Sequence, residues 1–548
     1  MRGDLEFMSV PRLVRTAAAR HAGREAVVCG RTRISYGRLG ARVERAAAGC
    51  LAAGVEAGDR VAVWAPNTLE WIVAALGAVS AGAVLVPLNT RLKGAEAVQV
   101  LKRTRAELLF VTGTFLGTSY VAALRRAAGA GGRKRGDGPP LAELPCLRQV
   151  VVLGGDAPAE FRTWQEFLAA GDEVPAWAVR ARANAVAPDA PSDIVFTSGT
   201  TGEPKGVVAT QAQSLRAFGA WADLAGLRAG DRCLIVNPFS HTFGYKAGVL
   251  ACLMRGATML PQPVFAADEV AARIATERIS VLPGPPTLFR SLLDHPAREL
   301  YDFSSLRVVV TGAATVDRKL VVRLREELGR VTVLTAYGLS EATGLVTMCR
   351  RGDPDEVVGR TSGRAVPDTE VKVVGADGGT LPAGERGEIL VRGYQVMPGY
   401  FEDPGATERV VDAEGWLHTG DVGVLDGEGN LRITDRLKDM YVVGGFNVYP
   451  AEVERVLTRH PGVAEAAVVG MPDPEGRLGE VGKAFVVRRA AADSPTEQEL
   501  IRWVRGELAN YKVPRGVAFL RALPRNAMGK VRKQALKSKA AEETGRGA

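Results

Sequence analysis

The stretch Thr197-Ser-Gly-Thr-Thr-Gly-Glu-Pro-Lys-Gly206 is the most informative part of the sequence, and it follows a short apolar run that ends at Phe196. Its ten residues include three glycines, four hydroxyl side chains and one lysine. A loop of this kind after a strand exposes backbone N–H groups, which together with hydroxyls and a cation suit a polyphosphate. The stretch differs from the common P-loop, because Pro204, Lys205 and Gly206 stand where that motif requires Gly, Lys and Ser or Thr.

Short apolar, β-branched runs lie on both sides of this loop and alternate with segments rich in Ala, Leu, Arg and Glu. Fully apolar strands between helices indicate parallel sheets that are covered on both faces. The sequence therefore predicts an α/β fold. The predicted strands are Ala26–Val28, Arg60–Trp64, Leu108–Val111, Val150–Leu153, Cys233–Val236, Val281–Pro283, Val308–Val310 and Val331–Leu334.

The character of the sequence changes twice in its last third. After about residue 355, Glu370–Val374 and Glu388–Arg392 lie between Gly-rich turns, which predicts a smaller antiparallel or barrel-like unit. After about residue 437 the pattern predicts a compact α+β region. We therefore expect an N-terminal domain of residues 1–437 and a C-terminal domain of residues 438–548. The elements predicted in the second are helix Ala451–Arg459, strand Val463–Val469, strand Gly482–Val487 and helix Thr496–Leu508.

Charge and cysteine content exclude several classes of protein. The chain has 548 residues with a formal charge of +9, but its charges are dispersed and only 6% of residues are aromatic. A nucleic-acid-binding protein is expected to carry a basic stripe interleaved with aromatics, so no nucleic-acid partner is predicted. Six cysteines without a CxxC pair form neither a disulfide framework nor a zinc pattern, and they fit a reducing cytoplasm.

The uncharged stretch Trp71–Leu88 is nearly long enough to span a bilayer. It is rich in Ala and Gly and is interrupted at Gly82 and Pro87, so we predict a buried helix ending near Gly82 and a buried strand Ala83–Val86 instead. No integral membrane segment is expected. Residues 1–7 lack the apolar core of a signal peptide, and Met8 is an alternative start. The sequence leaves open a monomer or a homodimer.

Further motifs follow the loop in a fixed order. They are Tyr337-Gly-Leu-Ser-Glu341, Gly415-Trp-Leu-His-Thr-Gly-Asp421, Asp435-Arg-Leu-Lys-Asp439, Gly444-Gly-Phe-Asn-Val-Tyr-Pro450 and Pro524-Arg-Asn-Ala-Met-Gly-Lys530. With these motifs the chain resembles, from about Leu13 to Lys533, the adenylate-forming superfamily of acyl-CoA synthetases, nonribosomal adenylation domains and firefly luciferase.

The resemblance implies an architecture and a reaction. The expected architecture is a large N-terminal domain of two stacked α/β subdomains plus a small β-barrel, followed by a smaller mobile α+β domain. The expected enzyme is a ligase that uses ATP and Mg²⁺ to convert a carboxylic acid into its acyl-AMP, releases pyrophosphate, and then forms a thioester with CoA.

The resemblance also implies roles for individual residues toward ATP. The phosphate loop would hold the β- and γ-phosphates, Ser340 the α-phosphate, and Glu341 the Mg²⁺ ion, which prefers oxygen ligands. Tyr337 would stack on adenine, Asp421 and Arg436 would hold the ribose hydroxyls, and Gly338 would also belong to the ATP site. The loop residues are Thr197, Ser198, Gly199, Thr200, Thr201, Gly202 and Lys205, and the wall between adenine and acyl pocket is Gly312, Ala313 and Ala314.

Three residues of the C-terminal region are implied in catalysis and domain movement. Lys530 would bridge the carboxylate and the α-phosphate in the adenylation transition state. Lys438 aligns with the hinge, although a solvated lysine on a turn is an equal alternative. Gly445 would lie beside the pantetheine arm of CoA, or Gly444-Gly445 forms a tight turn.

The segment Asn237–Gln262 most resembles actinobacterial CoA ligases for cyclic acids, with aryl and medium-chain acids as competitors. His241 aligns with the substrate-gating aromatic and joins the catalytic set with Lys530, Ser340 and Glu341. Phe243, Gly244 and Lys246 complete the predicted pocket. For Lys246 we predict contact with a polar or anionic substrate group, with surface exposure as the alternative.

Two positions depart from the family pattern, and one alternative function stays open. Residue 340 is Ser where Thr is commoner, and residue 315 is Thr where many relatives have Pro. Amino-acid substrates are disfavoured, because the segment at His241 lacks the Asp that holds an α-ammonium group. The alternative is adenylation with a non-CoA outcome, such as nitrite activation for diazotisation of an aryl amine.

Overall fold

A computed structural model describes most of the chain. The described residues are 2–129, 139–198, 204–312, 316, 318–329, 331–375, 377–436, 440–489, 494–524, 531 and 533–545. They form two compact units, the first comprising residues 1–90, 97–195 and 206–434 and the second residues 91–96, 196–205 and 435–548. The predicted domain boundary at 437/438 lies outside the described residues and stays a prediction.

The largest sheet has nine strands, of which six are consecutive parallel neighbours. Its parallel strands are apolar and buried, because helices cover both faces, and this confirms the predicted α/β class. In spatial order the strands are Arg364–Ala365, Thr347–Met348, Thr332–Tyr337, Val308–Gly312, Val281–Gly284, Arg232–Ile235, Thr258–Pro261, Glu25–Cys29 and Thr32–Ser35.

The second sheet has seven strands and carries the phosphate-loop motif at one edge. We call Pro191–Ser198 the upstream strand and Pro204–Thr210 the downstream strand, because the motif joins them. In spatial order the strands are Pro204–Thr210, Pro191–Ser198, Val84–Pro87, Arg60–Trp64, Leu108–Thr112, Gln149–Leu153 and Arg162–Thr163.

The unit predicted after residue 355 is an antiparallel sheet of four strands, the first of the two forms expected from the sequence. Their order is Thr369–Val374, Arg386–Gly393, Leu417–Leu425 and Leu431–Arg436. A separate two-stranded hairpin is made by Thr114–Phe115 and Thr118–Ser119.

The second compact unit has its own apolar core and α+β pattern. Strands Val463–Pro472 and Glu480–Arg488 are antiparallel, and Gly516–Phe519 pairs parallel to the latter. Tyr441–Val443 and Phe446–Val448 form a hairpin. These bounds lie close to the strands predicted from the sequence.

Helices alternate with the strands as predicted, and several begin at a capping residue. Thr210 caps its helix together with Gln213, since each side chain bonds the other residue's backbone N–H. The α-helices are Gly3–Phe7, Val10–Arg20, Tyr36–Ala52, Leu69–Ser80, Gly94–Thr104, Tyr120–Ala128, Trp164–Ala170, Ala176–Asn184, Gln211–Ala225, Thr242–Gly244, Ala251–Arg255, Ala267–Thr276, Pro286–Leu293, Arg318–Glu327, Asp355–Arg360, Pro404–Glu408, Pro450–Thr458, Glu497–Glu507 and Lys533–Gly545. Short 3₁₀ turns are Gly171–Glu173, Arg298–Leu300, Ser340–Ala342 and Asn510–Lys512, and Tyr245–Leu250 is a π-helix.

The apolar stretch around Gly82 forms the predicted helix and strand. Helix Leu69–Ser80 is buried at every position except Glu70, and strand Val84–Pro87 follows after a turn in which Gly82 has a φ of 87°. Across the described residues, the helices are too short or too polar to cross a bilayer.

Candidate active site

Two neighbouring parallel strands end at the predicted adenine site. Gly312 ends one strand and Tyr337 the next, with Gly312 paired to Ala336. A Cβ on Gly312 would lie 2.4 Å from the Ala336 carbonyl oxygen, and one on Gly338 would lie 2.2 Å from that of Gly344. Both glycines are therefore required by close backbone approach. The carboxyl ends of parallel strands are where open α/β sheets bind ligands. Ala313 and Ala314 lie outside the described residues.

The side chains predicted to hold adenine and ribose meet in the structure. The Tyr337 hydroxyl donates a hydrogen bond to Asp421 Oδ2 at 2.7 Å, and both side chains are buried. Asp421 lies in strand Leu417–Leu425 of the antiparallel sheet. Arg436 ends the neighbouring strand, although its side chain is not among those described. A carboxylate held by a phenol keeps oxygens available for the hydroxyl donors of a ribose.

Ser340 and Glu341 form a 3₁₀ turn immediately beyond these residues. Glu341 Oε1 accepts a hydrogen bond from the Tyr400 hydroxyl at 2.9 Å, and the Glu341 carbonyl accepts one from the Met397 N–H at 2.8 Å. Tyr400 therefore orients the carboxylate predicted to ligate Mg²⁺. The sequence did not indicate this residue, because it lies 59 positions along the chain and its partner depends on folding.

The magnesium fit can be judged from the donor set. Among the residues that the structure describes, no group of three or more His, Cys, Asp and Glu side chains could hold a metal. A single carboxylate such as Glu341 would suffice for Mg²⁺, which proteins usually bind through one or two carboxylates together with substrate phosphates and waters. Glu341 therefore fits Mg²⁺ bound together with ATP.

The phosphate loop itself is described only at its ends. Thr197 and Lys205 are half-buried on the upstream and downstream strands. Gly199, Thr200, Thr201 and Gly202 lie outside the described residues, as does the side chain of Ser198. After the loop, the downstream strand is fixed to a neighbouring segment, because the Phe401 N–H donates to the Gly206 carbonyl at 2.7 Å.

His241 directly precedes a short helical turn, and two asparagines that the sequence did not indicate contact it or the segment before it. Its Nε2 is 3.3 Å from Asn89 Nδ2. The Asn67 side chain donates to the carbonyls of Ile235 and Asn237 and accepts from the Phe239 N–H at 2.8 Å. A buried amide with three backbone partners holds the segment before His241 in one conformation.

The rest of the predicted acid pocket adjoins His241. A Cβ on Gly244 would lie 2.1 Å from the Pro238 carbonyl oxygen, so the chain folds back on itself there. A Cβ on Gly344 would lie 2.7 Å from Thr242 Oγ1, which places this turn beside the one that carries Ser340 and Glu341. Phe243 packs half-buried against the main core.

Lys246 is buried rather than exposed, so the surface alternative is wrong. Its side chain is 1% accessible, and its Nζ lies 3.0 Å from Asp193 Oδ1 on the upstream strand. Contact with a substrate group stays a prediction.

In the second unit, Gly444 and Gly445 connect the hairpin strands with φ values of 56° and 84°. This conformation favours glycine, so the tight turn predicted as one alternative is present. Contact of Gly445 with CoA stays a prediction. Lys438 and Lys530 lie outside the described residues.

Comparison with known proteins identifies the family of the chain. Residues 14–401 match the AMP-binding enzyme family, and residues 452–530 match the AMP-binding enzyme C-terminal domain. A 3-[(3aS,4S,7aS)-7a-methyl-1,5-dioxo-octahydro-1H-inden-4-yl]propanoyl:CoA ligase of Rhodococcus jostii is 49% identical over 96% of this chain and 98% of its own length. A ligase of the same name from Mycobacterium tuberculosis is 52% identical over 90% of this chain and 91% of its own length.

An amide bond synthetase from Marinactinospora thermotolerans is similar in structure, with a TM-score of 0.82 and 30% identity over 97% of this chain and 99% of that chain. The chain is therefore a member of the AMP-binding enzymes, the adenylate-forming family that its motifs resemble.

Proposed function

We propose that this enzyme activates a cyclic carboxylic acid as its acyl-AMP and transfers the acyl group to coenzyme A. The observation that supports the nucleotide half is the contact of Tyr337 with Asp421 at 2.7 Å, beside the turn that carries Glu341. These groups lie at the carboxyl ends of parallel strands, where ligands bind in this class of fold.

The chemistry proceeds in two displacements. A carboxylate oxygen attacks the α-phosphorus of ATP, a new P–O bond forms, and the bond to pyrophosphate breaks. The thiolate of CoA then attacks the acyl carbon, and the C–O bond to AMP breaks. Both steps depend on alignment and on stabilising phosphate charge.

Individual residues have distinct tasks in this proposal. Glu341, oriented by Tyr400, holds Mg²⁺, which neutralises phosphate charge when bound. Ser340 contacts the α-phosphate, and Asp421 accepts from ribose hydroxyls. Lys530 bridges carboxylate and α-phosphate in the first step. Gly445 lies along the CoA arm in the second, with Lys438 as the hinge between the two conformations.

The substrate class is proposed from the relatives and from the pocket segment. The two ligases near 50% identity are named for a propanoyl chain on a methylated, fused bicyclic dione. We extend this class to the present enzyme, with His241, Phe243 and Gly244 lining the pocket. Aryl and medium-chain acids are the competing classes. Adenylation with nitrite instead of an acid is disfavoured, because these relatives are named as CoA ligases.

A substrate panel tests the proposal. The purified protein is incubated with ATP, Mg²⁺ and each acid, and pyrophosphate release is followed with and without CoA. Parallel reactions replace CoA with hydroxylamine or with an aryl amine plus nitrite. We expect the bicyclic propanoate to give CoA-dependent AMP release and a thioester detectable by mass. Pyrophosphate release without any thioester would contradict CoA transfer.

Replacing Lys530 with Ala separates the two half-reactions. We expect Lys530→Ala to slow formation of acyl-AMP by about a thousandfold, the order of magnitude for losing a group that stabilises transition-state charge. Thioester formation from supplied acyl-AMP should fall less than tenfold, by about 1 kcal/mol or less. The exposed Lys539 provides a control, since Lys539→Ala should leave both steps unchanged. Equal losses in both half-reactions would contradict the assigned role.

A further inference from the structure

A buried ion pair connects the segment that carries His241 to the strand that leads into the phosphate loop. Lys246 Nζ and Asp193 Oδ1 are 3.0 Å apart, and each side chain is 1% accessible. Neither atom meets hydrogen-bond geometry with any described residue, so the contact is an ion pair formed mainly by charge attraction. A buried charge without its partner is strongly destabilising, so each residue requires the other.

Asp193 belongs to the upstream strand, four residues before the first loop residue. The Ser192 hydroxyl lies 2.5 Å from Asp193 Oδ2, and it also lies within 3.3 Å of the carbonyls of Ala209 and Thr210 at the end of the downstream strand. Ser214 Oγ, in the following helix, is 3.2 Å from the same hydroxyl. The carboxylate therefore takes part in a polar cluster that joins both strands flanking the phosphate loop.

Lys246 belongs to the π-helix Tyr245–Leu250, five residues after His241. The ring of Tyr245 packs against Trp71 with centroids 5.6 Å apart, which anchors the start of this helix in the core. Single π turns inside helices are frequent at functional sites, because the extra residue redirects a side chain. Here the redirected turn contains the lysine that reaches the upstream strand.

We propose that Lys246 is a positioning residue for ATP binding. Through Asp193 it fixes the upstream strand, and hence the first residues of the phosphate loop, relative to the segment that carries His241. This inference rests on the proposed function, and it replaces direct contact with the acid as the role of Lys246. The ammonium has almost no accessible surface, which a substrate contact would require.

The two roles predict different losses. A positioning residue acts on the phosphate loop, so its removal weakens ATP binding and leaves the KM for the acid unchanged. A residue that contacts the acid changes the KM for the acid and the order of preference among acids. A residue needed only for packing lowers thermal stability and changes neither constant.

The experiment measures ATP affinity directly, by calorimetric titration of the full chain with Mg-ATP in the absence of acid. We expect Lys246→Met and Asp193→Asn each to weaken ATP affinity by about tenfold, within the range of coupling between contacting groups. The double variant should still bind ATP more weakly than the unsubstituted protein, but it should lose no more affinity than either single variant, since it removes both charges and leaves neither unpaired. Lys246→Arg should retain most of the affinity, because it keeps the positive charge.

Arg307→Met is the matched control. Arg307 pairs with the buried Asp231 in the same compact unit, away from the phosphate-loop strands, so its loss should lower stability without changing ATP affinity. Unchanged ATP affinity in folded Lys246→Met, with either an altered KM for the acid or only a lower melting temperature, would overturn the proposal. If a single variant fails to fold, the double variant and Lys246→Arg provide the test instead. Equal ATP affinity in the double variant and the unsubstituted protein would then overturn the proposal. Absence of ATP binding in the unsubstituted protein would instead contradict the proposed function.

Discussion

At the scale of single residues, the site depends on hydrogen bonds between side chains that are distant in sequence. Tyr337 contacts Asp421 across 84 positions, and Tyr400 contacts Glu341 across 59. The family resemblance implied both members of the first pair, but only Glu341 of the second. Asn67, Asn89 and Tyr400 were missed, because a lone polar residue in a loop gives no local signal of its partner.

Tyr400 provides a direct test of how Glu341 is held. Replacement by Phe removes the hydrogen bond to the carboxylate, and bonds to charged groups contribute about 1.5–3 kcal/mol. We expect Tyr400→Phe to lower kcat by about tenfold or more and to raise the Mg²⁺ concentration needed for half-maximal rate.

A tyrosine six residues away makes a matched control for this change. The Tyr394 hydroxyl is buried and has no hydrogen-bond partner among the described residues. Tyr394→Phe should therefore leave kcat and the Mg²⁺ dependence unchanged. Similar effects of the two substitutions would argue against a role for Tyr400 in orienting Glu341.

At the scale of elements, the strands were the most predictable feature. Parallel strands buried on both faces consist of continuous β-branched runs, and the predicted run Val308–Val310 lies inside the observed strand Val308–Gly312. The π-helix Tyr245–Leu250 was not predicted, because one extra residue per turn leaves the apolar pattern almost unchanged. The π-helix matters nonetheless, because it contains Lys246.

Gly312 tests whether close approach of two strand ends is required. A Cβ there would lie 2.4 Å from the carbonyl of Ala336, so the two strands would have to separate. We expect Gly312→Ala to lower the free energy of unfolding by about 1–3 kcal/mol, as overpacking does. It should also weaken ATP binding, because the displaced strand ends carry Tyr337.

The control for this change is a glycine in a helix. Gly506 lies in helix Glu497–Glu507, and an added Cβ meets no atom within 4 Å. Gly506→Ala should therefore raise stability by about 0.5–1 kcal/mol, since alanine is the better helix former. Thermal melting and ATP titration of both variants measure the contrast. An unchanged or raised melting temperature in Gly312→Ala would show that the strands can separate without cost.

At the scale of the whole molecule, the residues of the nucleotide site and a network of ion pairs lie at opposite ends of the parallel strands of the largest sheet. Tyr337 and Gly312 lie at the carboxyl ends of its parallel strands, whereas Glu25 and Arg232 lie at the amino ends of two other parallel strands. Arg232 and Arg33 each contact both Glu25 and Glu277. The sequence could not predict this network, because its members meet only when the sheet has formed.

This network predicts how stability depends on pH. Burial alone would raise the pKa of Glu25, but hydrogen bonds from Arg232 and Arg33 outweigh burial and hold the pKa below its ordinary value of 4.5. A carboxyl group whose pKa is lowered on folding stabilises the fold above its unfolded pKa, and this stabilisation disappears as the pH falls through the folded value. We therefore expect Glu25→Gln to lower the melting temperature at pH 7. Below about pH 4, the melting temperatures of the variant and of the unsubstituted protein should come closer together.

An exposed pair separates this effect from simple loss of a charge. Lys102 and Glu143 form an ion pair on the surface, where solvent screens the interaction. Glu143→Gln should therefore change the melting temperature at pH 7 much less than Glu25→Gln does. ATP affinity should be unchanged in both variants, because Glu25 lies at the amino ends of the parallel strands, away from the nucleotide site at their carboxyl ends, and Glu143 lies on the surface. A Glu25→Gln protein that melts in parallel with the unsubstituted protein from pH 7 to pH 3 would show that the arginines do not stabilise the folded state through this carboxylate.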